Sequence, residues 1–363
     1  MQTICARRFV VPIAVSMAMV AGITSAEELR FGVKVETPSI DPHWSTNTSA
    51  IGAGRQAFDM LIGKDHRMAL QPELAVSWKP LDDLTWEFNL RKGVKFHDGT
   101  PFTADDAIYS ILRHEIIKSP ASFIQYTAGK TPVKIDDHTI HIKTEVPTPL
   151  METDMAAFAI VSKKHAEGAK APVDFNLGKA TIGTGPYKFI EWRREDSLVF
   201  EANPDWWGGK PKWDRVVFKP IKSDPTRVAA LKSGDLDIID LVPTTDISDL
   251  KKDPNVVVSE GIGNRPWFIW MDARRDLTTH VWNNDGTPAW PNPLRIWKVR
   301  KALSLAINRQ AIVDRVFEGS AVIATQLLPE GFYGYNEDLK PEPYDPARAK
   351  QLLAEAGYPD GFK

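Results

Sequence analysis

Cysteine is almost missing from this 363-residue chain, in which Cys5 is the only one. It lies ahead of an apolar run, Phe9 to Gly22 (FVVPIAVSMAMVAG), which follows Arg7 and Arg8 and leads into Thr24-Ser25-Ala26. Basic, apolar and small residues in that order predict a cleaved export leader over 1–26, cut after Ala26. Cys5 precedes the apolar run, so it cannot be a lipid-bearing residue at the cut. The mature chain then holds no thiol, which excludes a disulfide framework, a cysteine nucleophile and a thiolate zinc site. Long hydrophobic runs are missing as well; the leader's own run is short and carries Pro12. There is no surplus of positive charge. Taking Arg7 and Arg8 from 45 basic residues leaves 43 against 47 acidic ones, a net charge of −4, which predicts solubility and no nucleic-acid footprint.

Catalytic signatures are equally scarce. The sequence has no GxSxG, Walker A, HExxH or CxxC motif. Gly52-Ala-Gly54-Arg-Gln-Ala57 matches a dinucleotide fingerprint by letters only, because a long loop separates it from the first strand. His138 and His141 fall on opposite faces of a strand at their spacing. The Asp82-Asp83 and Asp136-Asp137 pairs sit in predicted turns, where Asp bonds its own backbone. No cofactor, metal or catalytic set is expected.

What the chain does have is pattern. Leu29 to Val35 alternates as a first strand, and Thr85 to Leu90 places Trp86, Phe88 and Leu90 on one face. Strands are also predicted at Val94 to Phe96, 133–135, 139–143, Tyr187 to Trp192, Ser197 to Ala202, Asp237 to Val242, Val256 to Ser259 and Trp267 to Met271. A short helix is predicted from Arg55, another after Thr103-Ala-Asp-Asp106, which resembles a capping box. Asp224-Pro225 starts a helix that Gly234 stops, leading directly into a strand, an αβ unit of layered sheet domains. An amphipathic helix over 294–307 is followed by one capped by Asn308. A last one begins at Asp345-Pro346 and stops at Gly357. The twelve tryptophans supply core and fit an aromatic-lined pocket.

Several stretches carry a family resemblance: Leu74 to Asp106 (LAVSWKPLDDLTWEFNLRKGVKFHDGTPFTADD), Ser39-Ile-Asp-Pro42, Gly183-Thr-Gly-Pro-Tyr187, Arg227 to Asp237, Val299 to Arg309 and Tyr344 to Gly357. In this order they resemble the bacterial extracellular solute-binding proteins of family 5, the peptide, dipeptide and nickel receptors of ABC importers. The resemblance implies an α/β, two-lobed periplasmic binding protein (type II, cluster C) with an inserted subdomain, closing around its ligand by hinge motion. It implies lobe I at 27–61 and 181–272, the inserted subdomain at 62–180 and lobe II at 273–363. Relatives continue past the position of Lys363 and return to lobe I, so the resemblance implies a C-terminally truncated chain. Asp272 replaces the family's usual Asn, and Asn308 a frequent Asp.

By the same resemblance, the ligand is expected to meet Thr46, Asn47 and Thr48 after the first strand, Phe123 and Tyr126 in the subdomain, and Phe268 and Trp270. The last two share one face of the predicted strand over 265–272. Capped-loop and core-packing roles are the alternatives for the first two groups. The Gly183–Tyr187 motif is expected to be a structural turn at a lobe crossing. The implied function is non-enzymatic: a monomeric periplasmic receptor that hands an oligo- or dipeptide to inner-membrane permease subunits. A nickel complex, haem, an opine or an oligosaccharide is the alternative solute, and a periplasmic sensor or chaperone, or a secreted hydrolase, the alternative class.

Overall fold

Alternation becomes strand wherever a neighbouring segment completes the ladder. The computed structural model of the protein describes residues 27–66, 68–119, 123–263 and 265–363; the expected leader lies outside them. Its strands are β1 (Glu28–Val33), β2 (Ile62–Lys64), β3 (Leu70–Pro72), β4 (Ala75–Asp82), β5 (Thr85–Leu90), β6 (Lys130–Asp136), β7 (Thr139–Thr144), β8 (Tyr187–Arg193), β9 (Ser197–Ala202), β10 (Arg215–Pro220) and β11 (Ile238–Ile239).

Two sheets dominate. The first runs β11-β1-β10-β9-β8, with β1 parallel to β10 and β11 and the β8–β9–β10 pairings antiparallel. The second is antiparallel, β4-β5-β7-β6, and its strands all come from the segment between β1 and β8. Each sheet has its own core. Phe88, Leu90, Ile140 and Ile142 of the second pack with Ile111 of α2 (Ala104–Leu112). On the first, Phe200, Val216 and Phe218 pack with Ala53 and Ala57 of α1 (Thr48–Ala57) and with Phe175. A third cluster, Val281, Ala289, Leu294 and Val299, lies in the C-terminal part, where the helices Trp297–Leu305 and Pro346–Glu355 also pack together through Ala302, Leu305, Ala349 and Leu352.

The cap signals are realised in atoms. Asn308 accepts from the Ala311 amide, 2.9 Å, and Asp345 from the Arg348 amide, 2.8 Å. Gly234 ends the helix Asp224–Ser233 with φ +80°, a value that glycine adopts without the Cβ clash of other residues.

Several expected elements differ. The helix placed at Arg55 instead runs Thr48–Ala57, and the chain is extended from Phe58. Small residues on α1 explain the shift: Gly54 sits against Pro42, and Ala57 against Gly183 and Gly185, where a Cβ on either glycine would collide with the α1 backbone. The fingerprint glycines Gly52 and Gly54 are therefore helix interior. Val94 to Phe96 forms an isolated bridge, Lys95 to Pro101, rather than a strand. The strand at Asp237 to Val242 shortens to two residues. Residues 256–259 and 267–271 form no strand, because no described neighbour supplies ladder partners.

Two contacts, one sealed and one partly buried, fasten the subdomain sheet to the first sheet. Arg113, at the end of α2, donates from Nη1 and Nη2 to the two carboxylate oxygens of Asp41, each at 2.7 Å. Both side chains are sealed, at 1% and 0% exposure. At the second, His97 and Asn203 meet the carbonyl of Gly185, and the Gly185 amide donates to Ala57 at 3.0 Å.

Candidate functional site

Strand β1 is two-faced. Arg30 and Gly32 point to the side where Arg30 pairs with Asp237 at 2.8 Å and where Leu236 leaves no room for a Cβ on Gly32. Leu29, Phe31 and Val33 point to the other side. The sheet register then builds a single apolar row across four strands: Phe31 opposite Phe218, Phe218 opposite Leu198, Leu198 opposite Trp192. The Phe31 and Phe218 rings lie 5.4 Å apart. This row, with Val33 and Pro220, floors a cavity of about 690 Å³, within the range of small-molecule sites.

Three walls surround the floor. Thr46, Asn47, Thr48 and Ser49 form one, continued one turn on by Gly52 and Ala53. Asn47 is the N-cap of α1, yet its side chain makes no capping bond, and the first turn holds no acidic residue. The second wall is Val35, Glu36 and Thr37. Glu36 accepts from Trp192 Nε1 at 3.1 Å and from the Glu195 amide at 3.0 Å, while Arg194 donates to the Thr37 carbonyl and stacks on Trp192. The third wall is Asp240 and Leu241. It is held from behind by Arg227, fully buried, which donates to the carbonyls of Ile221, Asp240 and Leu241 and pairs with Asp224 at 2.7 Å. Arg265 closes the cavity edge, its Nη2 donating to Thr48 Oγ1 at 2.6 Å. The arrangement is an apolar trough edged by hydroxyls, an amide, two carboxylates and one guanidinium.

Thr46, Asn47 and Thr48 are thus brought together on the cavity. Phe123 and Tyr126 are not. Phe123 is 5% exposed in the subdomain core, with the Tyr126 ring 6.0 Å away and itself packed on that core. Burying these rings completes the subdomain's own interior, which accounts for their place. Phe268 and Trp270 are not on the cavity either. Their rings are 5.5 Å apart, and they stand 56% and 83% exposed on a segment that forms no strand. The cavity residues missed from sequence are Phe31, Val33, Trp192, Leu198 and Phe218, together with Arg265. Alternation in β1, β9 and β10 carries a signal for the sheet residues; nothing in the local sequence marks Arg265.

A separate polar knot lies beneath α1 and is fully engaged. Asp59 Oδ2 accepts from Trp207 Nε1 at 2.7 Å and from Thr184 Oγ1 at 2.9 Å. Burial, reinforced by the nearby Glu73 charge, pushes its carboxyl up to about 7, against the pull of the Trp207 and Thr184 bonds. Arg55 pairs with Glu73 at 2.9 Å. Each group answers another, so the knot reads as structural.

A family profile described as bacterial extracellular solute-binding proteins, family 5 Middle, matches residues 69–363. The chain belongs to this family. Its members bind solutes rather than transform them, and their fold is the one seen here. The chain is 32% identical to haem-binding protein A of Haemophilus influenzae, covering 87% of this chain and 59% of that protein. It is 30% identical to the dipeptide-binding protein of Escherichia coli K12, covering 80% and 56% respectively. Its fold is similar to that of NikZ from Campylobacter jejuni in complex with Ni(L-His), with a TM-score of 0.72 and 27% identity over 93% of this chain and 66% of that one. The chain thus spans somewhat over half the length of these two curated relatives.

Proposed function

We propose that the chain is the solute-capturing part of a periplasmic receptor that delivers a short peptide to the permease of an ABC importer. The observation that carries this reading is the charge pattern around the trough. Glu36 and Asp240 lie on two walls and Arg265 on the edge, around a floor of Phe31, Phe218, Leu198 and Trp192. A peptide offers the complement: an ammonium, a carboxylate, and apolar side chains between them. Family membership supports receptor function, and the dipeptide-binding relative supports this class of solute. In this reading, 27–61 with 181–272 forms one lobe, 62–180 its inserted subdomain, and 273–363 belongs to the second lobe. Export uses the leader over 1–26, and the receptor works as a monomer.

Thermal melts of the purified protein against di- and tripeptides, nickel–histidine, haem and oligosaccharides test this. A solute at a hundred times its dissociation constant adds about 2.7 kcal/mol, a rise on the order of 2–4 °C for a chain of this size. A rise with peptides alone is expected. A rise with haem or nickel–histidine alone overturns the peptide assignment and keeps the receptor; no rise with any class overturns both.

A further inference from the structure

The cavity holds three charged residues, and they are not equally occupied. Glu36 already accepts two hydrogen bonds, from an indole and from a backbone amide. Asp240 accepts the Lys34 amide at 2.8 Å, and its backbone carbonyl is held by Arg227. Arg265 differs. Of the five N–H donors of a guanidinium, one is used, toward the neutral hydroxyl of Thr48. Among the described residues no carboxylate forms an ion pair with it. Its neighbours on the edge, Asn47 and Thr48, are uncharged donors, and the first turn of α1 brings no acid that would compete. The buried arginines Arg113 and Arg227 are each paired with a carboxylate: Arg113 grips both oxygens of Asp41, and Arg227 spreads over three carbonyls and Asp224.

From this we infer that Arg265 and Thr48 form the carboxylate-binding corner of the cavity, and that the solute is an organic acid whose apolar body lies on the Phe31–Phe218–Leu198–Trp192 row. The inference rests on the receptor reading above and narrows it. A guanidinium takes a carboxylate through two parallel N–H bonds, and Thr48 Oγ1, accepting from Nη2, holds the planar group at the cavity edge. The neutral partner keeps the positive charge available. The row beyond it has no charged side chain, and its one polar group, the Trp192 indole N–H, is taken by Glu36, so a solute with a carboxylate alone would leave the floor in water.

The test pairs each acid with its blocked form: the dipeptide Ala-Phe with Ala-Phe-amide, and haem with its dimethyl ester, titrated calorimetrically into the full chain and into Arg265→Ala, Arg265→Lys and Thr48→Val. The acid that binds is expected to do so at least about tenfold more tightly than its blocked form, the size of one charge-assisted hydrogen bond. R265A is expected to bring the acid down to the affinity of the blocked form while leaving the blocked form unchanged. R265K restores part of the loss, and T48V gives a smaller one. Matching melts of the unliganded variants establish that each is folded. Equal affinity for acid and blocked form, or an acid that R265A binds as well as the parent does, overturns the carboxylate corner and leaves the receptor standing. Binding of haem but not of peptide, with the same acid–ester gap, overturns the peptide assignment and upholds the corner. Binding of maltohexaose alone, titrated alongside as an uncharged solute, overturns the corner, and binding of no probe overturns both readings together.

Discussion

Arg113 and Arg265 present the same guanidinium in opposite surroundings. Around Arg113 the charge is answered: Asp41 takes both terminal nitrogens at 2.7 Å, the Phe175 ring lies 4.5 Å from the guanidinium carbon, and Nε alone is left without a hydrogen bond. Around Arg265, exposed at the cavity edge, one hydroxyl answers, and among the described residues no other hydrogen bond occupies its donors. Charge is costly to bury and is tolerated where a partner is fixed, so a sealed pair fastens parts of a fold. A charge with one weak partner at a cavity edge contributes little to folding and has capacity left for a ligand. Burial and partnering, taken together, separate the two roles better than residue type does.

That contrast can be broken at its strong end first. Arg113→Ala leaves Asp41 charged and buried, and is expected to cost about 3–5 kcal/mol, read as a lowered midpoint in urea; a loss below about 1 kcal/mol would mean that the junction is wetter than its geometry. Gly183→Ala sets a methyl against the Ala57 carbonyl and is expected to cost about 1–3 kcal/mol by overpacking, again from denaturant midpoints. The pH dependence is smaller because its parts oppose. Burial drives the imidazoles of His43 and His97 down to about 4, so the stability they leave intact above about 6.5 is lost as pH falls from there toward 4. Asp59, raised to about 7, acts the other way: its neutral form favours the fold most at low pH, and that advantage is lost as pH rises from its unfolded value to about 7. Melts between pH 4.5 and 7 are expected to fall modestly toward acid, and His97→Gln to flatten that fall. Trp270→Ala, at a side chain 83% exposed, is expected to leave stability within about 0.5 kcal/mol; a larger change in the melt would show that the ring is packed.

Legibility from sequence followed locality. Strand β5, the helix starts at Asn308 and Asp345 and the stop at Gly234 depend on neighbours within a few residues, and each stands where its signal predicts. Residues 265–272 alternate just as well, yet alternation states only which faces a strand would have. The ladder must come from elsewhere in the chain. The site divides in the same way. Thr46 to Thr48 lie where the loop after β1 enters α1, a place readable from the family motifs, whereas the row from Phe31 to Trp192 exists only once the register of four strands is known. Phe123 and Tyr126, placed by the resemblance with core packing as the alternative, pack into the core here; a motif match alone does not distinguish a lining ring from a core ring.

The Asp41–Arg113 pair also constrains how this sequence can drift. Any single replacement by an uncharged residue at either position passes through an orphaned ion in a sealed junction, whereas exchanging both for apolar residues of similar bulk, such as Leu and Met, removes the desolvation cost along with the attraction. The two positions, 72 residues apart, are therefore separated from an apolar alternative by a valley that one uncharged replacement cannot cross.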